Sequence, residues 1–131
     1  MQERIKQLNR VAQAIYDKKG SNIFGVDIHE VSPMTDYVLI AEGTVDRHVK
    51  ALADTVVEKL ALEGLHPFHI EGDREGDWIV LDYLDFMVHL FIPDLREKYA
   101  LERMWPQGKI IDLKFDISEP RVEPWIKKNE S

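Results

Sequence analysis

The chain has 131 residues, enough for one domain whose core withdraws roughly two-thirds of the unfolded surface from water. Hydrophobic residues make up 44% and charged residues 31%, a globular composition and not a disordered one. The absence of cysteine excludes a disulfide scaffold, a thiolate metal site, an iron–sulfur cluster and a cysteine nucleophile. The net charge of −7 disfavours general binding to nucleic-acid phosphate.

No stretch is apolar for long enough to span a bilayer, and Met1 to Lys6 lacks the apolar core of a secretion signal. The expected compartment is the cytoplasm. The charge is uneven. Residues 71–102 carry a net −6, whereas residues 1–70 carry only −2. The acidic stretch also holds Trp78, Tyr83, Phe86, Phe91 and Tyr99. Acidic residues interleaved with aromatics suit a basic protein partner better than a phosphate. They equally suit a solvated surface beside a core hairpin.

Ile5, Leu8, Val11, Ala12, Ile15 and Tyr16 recur at helical spacing and predict an amphipathic helix over 2–18. Lys18-Lys19-Gly20 ends it, with glycine suited to a left-handed cap. Residues 22–28 read as a strand, and Ser32-Pro33 as a turn. Tyr37 to Ala41 is the continuous apolar run of a central strand buried on both faces. A second helix comes next, with Thr44 or Asp46 as N-cap, Val49, Leu52, Ala53, Val56, Val57 and Leu60 as its core stripe, and Gly64 at its close.

Residues 67–71 predict a short strand, and Glu71 to Gly76 a polar turn. Residues 78–83 and 86–92 read as two strands joined near Leu84-Asp85. Trp78, Val80 and Asp82 share one face of the first, and Ile79, Leu81 and Tyr83 the other. Pro93-Asp94 opens a third helix, Leu95 to about Trp105. The fold class is therefore α/β, a mixed sheet of about five strands flanked by helices, with one domain over 1–109 and a C-terminal extension over 110–131. In the extension, Ile111, Leu113, Phe115 and Ile117 alternate as in an extra edge strand. Pro120 and Pro124 break up the remainder, which suits a docked tail and a frayed end equally.

Chemistry is sparse. There is no glycine-rich phosphate loop, nucleophile elbow or paired-histidine zinc motif. His66 and His69 flank a strand start without a third ligand to mark a metal. His89, between Val88 and Leu90, reads as a half-buried histidine satisfied by hydrogen bonds. Gly43 at a strand-to-helix junction and Asp82 suggest at most a divergent phosphoryl-transfer site, which needs carboxylates meeting at one point.

Several segments in order resemble the ribosomal silencing factor family, RsfS, also called Iojap. They are Thr35 to Gly43, Arg47 to Asp54, Glu71-Gly72, Asp77 to Tyr83, Val88 to Phe91, and Arg96 to Trp105. The joint occurrence of the TDY strand, the G-x-W-x-x-x-D-Y hairpin, the VHxF strand and the R-x-x-Y-x-L-E-x-x-W helix carries the resemblance over residues 4–105. It implies a nucleotidyltransferase-like fold without the catalytic carboxylates, hence no enzyme, no metal and no cofactor. It also implies binding to ribosomal protein fourteen of the large ribosomal subunit, a block on subunit joining, translational repression, and homodimers. Carried over by motif, the partner contacts are Trp78, Ile79, Asp82, Tyr83, Tyr99 and Glu102. His89, Arg96 and Trp105 brace the corner between sheet and helix, and Asp36 and Tyr37 match the strand-start motif. The alternative is a divergent metal-dependent nucleotidyltransferase built around Gly43 and Asp82. Neither a membrane nor sequence-specific nucleic acid is an expected partner. Alternation alone does not say which face of the hairpin is wet.

Overall fold

The computed structural model describes residues 2–95 and 105–116. Helix α1, Gln2–Asp17, forms because its apolar residues fall on one stripe, and Leu8, Val11, Ala12 and Ile15 are buried along it. The helix ends differently from expectation. Lys19, not Gly20, takes the left-handed conformation, with φ at 69°. Gly20 is needed for space: a Cβ there would lie 2.3 Å from Ile15 Cγ2, and its N–H donates to the Ile15 carbonyl at 2.8 Å.

The chain then forms β1 (Ser21–Asp27), β2 (Tyr37–Glu42) and α2 (Asp46–Ala61). Neither Thr44 nor Asp46 caps α2. The N-cap is Val45, which offers no side-chain acceptor. The junction is held instead by His48, whose Nδ1 accepts the Thr44 N–H at 2.9 Å while Nε2 donates to the Lys18 carbonyl at 2.8 Å. One neutral imidazole thus ties the end of α1 to the start of α2. Three strands come next, β3 (His69–Glu71), β4 (Trp78–Asp82) and β5 (Phe86–Phe91). A helical turn begins at 93–95, and the rest of the expected third helix lies outside the described residues.

Among the described residues the sheet has six strands, one more than expected, in the order β3-β4-β5-β2-β1-β6. The addition is β6, Lys109–Ile111, which pairs antiparallel with β1 through Gly25 and Ile111. Among these described strands only β2 and β5 run parallel as neighbours. Every residue of β2 is buried, as its apolar run requires of a central strand. After β6 the chain returns along α1. The Lys114 N–H donates to Asn9 Oδ1 at 2.9 Å, Gln13 pairs with the backbone of Asp116, and Phe115 packs on Tyr16 with ring centroids 5.5 Å apart. Residues 109–116 therefore belong to the sheet and the core margin.

The two faces of the sheet are covered unequally. Against one lie both helices, burying Tyr37, Leu39, Ala41, Ile79, Leu81, Phe86, Val88 and Leu90. On the other, Val26, Ile28, Val38, Ile40 and Phe91 form a smaller cluster, joined by the partly buried Phe24, Trp78, Leu95 and Trp105.

The β3–β4 hairpin depends on Gly72, whose φ is +80° and whose hypothetical Cβ would meet the Trp78 carbonyl oxygen at 1.8 Å. No side chain fits there. Gly72→Ala is expected to destabilise the fold by about 3 kcal/mol, read as a lowered urea midpoint.

Candidate docking face

Strand alternation puts Trp78, Val80 and Asp82 of β4 on the face away from α1 and α2. Opposite them on β5 stand Phe91, His89 and Met87, paired with Trp78, Val80 and Asp82 in that order. Trp78, Val80, Asp82 and Met87 are all half-buried, so each keeps surface in contact with water. Val80 and Met87 were missed as site residues by sequence reasoning. The signal for Val80 was its alternation with Trp78 and Asp82; for Met87 it was the hairpin register.

The same alternation corrects two expected contacts. Ile79 is fully buried beneath the helices, and Tyr83 is 6% exposed with its ring stacked 4.9 Å from that of Phe86. Both are core residues and not surface available to a partner. Burial of the Tyr83 hydroxyl pushes its pKa up to about 12. Trp78 and Asp82 come together on the open face. Tyr99, Glu102 and the supporting Arg96 lie outside the described residues.

Trp78 is anchored as well as half-exposed. Its indole N–H donates to His89 Nδ1 at 3.1 Å, which fixes His89 as the Nε2–H tautomer. Trp105 meets the His89 ring edge-on, with centroids 5.5 Å apart. Trp78, His89 and Trp105 thus form a run of ring contacts on this face. Asp82 turns one carboxylate oxygen to the Leu84 N–H at 2.9 Å, holding the β4–β5 turn in which Leu84 has φ of 71°. Glu71, paired with Val80, is exposed on this face, and Asp73, Glu75 and Asp77 are exposed in the turn that follows it, where Gly76 sits beside Asp46 and Lys50 of α2.

Asp36 and Tyr37 sit elsewhere. They line a cleft of about 540 Å³ at the end of the sheet, with Arg4, Glu63 and Asp85 among its other walls. The Asp36 N–H donates to the Asp85 carbonyl at 3.1 Å, and Arg4 pairs with the Asp85 carboxylate at 2.6 Å. Tyr37 is 3% exposed, and burial raises its phenol pKa, with Asp27 and Asp36 adding to the shift. Asp36 is thus a strand-start residue in a backbone turn. Gly43 and Asp82, the proposed centre of a phosphoryl-transfer site, do not converge. Glu42 aligns with Phe91 and thence with Trp78, whereas Asp82 aligns with Met87 at the opposite end of the strands. Among the described residues no group of three or more metal-ligating side chains is assembled.

Burial holds the His89 pKa at about 4, below its ordinary 6.5. Between those values the unfolded chain takes up a proton that the folded chain refuses. This contribution to stability is therefore complete above pH 6.5 and falls as the pH drops towards 4, by on the order of 3 kcal/mol. Urea titrations across this window are expected to show a steeper loss for the parent chain than for His89→Gln, which keeps an acceptor for Trp78. Parallel slopes would show that His89 does not carry it.

A family model, Ribosomal silencing factor during starvation (RsfS), matches residues 1–131. The chain is 32% identical over 112 residues to the ribosomal silencing factor RsfS of Bacillus subtilis, covering 86% of this chain and 95% of that one. It is 35% identical over 74 residues to the mouse protein named mitochondrial assembly of ribosomal large subunit protein 1, covering 54% of this chain and 32% of that one. The fold matches a crystal structure of a Chromobacterium violaceum protein with a TM-score of 0.73 and 29% identity, over 94% of this chain and 97% of the other. With its whole length matched by the family model and relatives named as ribosomal silencing factors above 30% identity, this chain belongs to the RsfS family of ribosomal silencing factors.

Proposed function

We propose that this protein docks through the open face of its sheet onto ribosomal protein fourteen of the large ribosomal subunit. In doing so it occupies the surface the small subunit would use and represses translation in the cytoplasm. On this reading it acts without catalysis or cofactor, and it self-associates. The family supports a role in silencing ribosomes, and a relative's name ties that protein to the large subunit. The observation that carries the reading is the half-exposed group Trp78, Val80, Asp82 and Met87, with exposed Glu71 beside Val80.

A steric block asks only for a rigid surface that competes for another. Trp78 is such a surface element, since its bond to His89 fixes the indole before any partner arrives. Ribosomal proteins are typically basic, so the exposed acids Glu71, Asp73, Glu75 and Asp77 would speed encounter. Apolar Val80 and Met87 would supply the dry centre of the contact. The nucleotidyltransferase alternative loses its geometry, because Gly43 and Asp82 lie at opposite ends of the strands.

Asp82→Asn retains an acceptor for the Leu84 N–H but removes the charge. It is expected to leave the thermal midpoint unchanged and to weaken binding to isolated large subunits about tenfold, an effect that shrinks as salt rises. Val80→Lys is expected to abolish the block in a subunit-mixing sedimentation assay. Sedimentation of the protein with joined ribosomes only, never with free large subunits, would overturn the reading.

A further inference from the structure

Among the described residues, Lys19, Asn22 and Leu84 hold a positive φ without being glycine. Asparagine visits the left-handed region readily. Lys19 follows the last turn of α1, where helices commonly end in that conformation. Neither reason applies to Leu84. At φ of 71° its Cβ crowds the carbonyl that follows, and a branched apolar side chain makes no hydrogen bond to offset the strain. Nor is the side chain hidden, since 48% of the residue lies in water.

The turn imposes the conformation but not the residue. The Tyr83 N–H donates to the Phe86 carbonyl at 2.9 Å, and the Asp85 N–H to the Tyr83 carbonyl at 2.9 Å. Asp82 Oδ1 accepts the Leu84 N–H. From outside the hairpin, the Asp36 N–H donates to the Asp85 carbonyl, and Arg4 pairs with the Asp85 carboxylate. Glycine or asparagine would adopt this geometry without strain. Strain kept where its surroundings over-determine it is characteristic of functional contacts.

The tip of the turn lies at the Asp82–Met87 end of the open face. Phe68, whose N–H donates to the Asp82 carbonyl at 2.8 Å, leaves 71% of its surface in water there. Two large apolar residues, both tied to Asp82, thus stand exposed at one end of the hairpin. The field around them is negative, because the cleft behind the turn sets Glu3, Asp36, Glu63 and Asp85 against Arg4. Apolar groups in such a field fit an apolar hollow rimmed by arginine or lysine on a basic protein, and not a phosphate backbone.

We propose that Leu84, with Phe68 beside it, is a docking anchor for the basic ribosomal protein and extends the open face past Asp82 around the hairpin tip. This rests on the docking reading above and adds a contact at one end of it. The strain in the free chain holds the side chain in place before the partner arrives, which limits the ordering cost of binding.

Leu84→Gly and Leu84→Asn separate an anchor from a packing residue. Both are expected to keep or raise the thermal midpoint of the free chain, glycine by about 3 °C. Both are expected to bind isolated large ribosomal subunits about tenfold more weakly than the parent. Leu84→Met keeps an apolar side chain and is expected to bind within about twofold of the parent. Phe68→Ser is expected to weaken binding without lowering the midpoint. A lowered midpoint for both glycine and asparagine would make Leu84 a packing residue and overturn the proposal. Parent-like binding by Leu84→Gly, with Val80→Lys still losing the block, would overturn the anchor and leave the open-face docking standing. A parent chain that does not bind free large subunits would overturn the docking reading and the anchor with it.

Discussion

The parallel pairing of β2 with β5 constrains the rest of the molecule. Parallel neighbours cannot be joined by a tight turn, so the chain must leave the sheet after β2, and it does so through α2 before returning by β3 and β4. That crossover sets α2 beside α1 on one side, where Val49, Leu52, Val56 and Leu60 meet Leu8, Val11 and Ile15 over the buried strands. The opposite side is then left to shorter cover. The half-exposure of Trp78, Val80, Asp82 and Met87 results from where the crossover went.

Most of this was legible in the residues, because local chemistry decides it. The stripe Leu8, Val11, Ala12 and Ile15 specifies a helix, and the run from Tyr37 to Ala41 specifies a central strand. What was not legible depends on which side of a strand a distant segment covers. Ile79 and Tyr83 alternate with Trp78 and Asp82 as regularly as any pair of faces. Only the position of the helices reveals that the first two are core and the last two accessible. The junction before α2 misled for a related reason. Thr44 and Asp46 are good capping types, but His48 takes the Thr44 N–H while reaching Lys18, a contact made across thirty residues. Left-handed geometry falling on Lys19 with glycine beside it shows a packing demand, the lack of room against Ile15, deciding where the glycine is placed.

In the proposed docking, the Trp78–His89 pair would join stability to recognition. Burial keeps His89 neutral, neutrality leaves Nδ1 as an acceptor, and that acceptor orients the indole at the margin of the open face. The acids of the 71–77 segment remain in water, where charge is inexpensive to keep. On that proposal the fixed aromatic would limit ordering cost and the acids would steer approach from a distance.

The contact between α1 and the segment after β6 bears on how the chain folds. Asn9 and Gln13 find their backbone partners 105 and 103 residues later, at Lys114 and Asp116. The polar flank of α1 therefore exchanges water for protein only when a segment distant in sequence is in place. Contacts of such long sequence separation favour concerted folding over stepwise accretion.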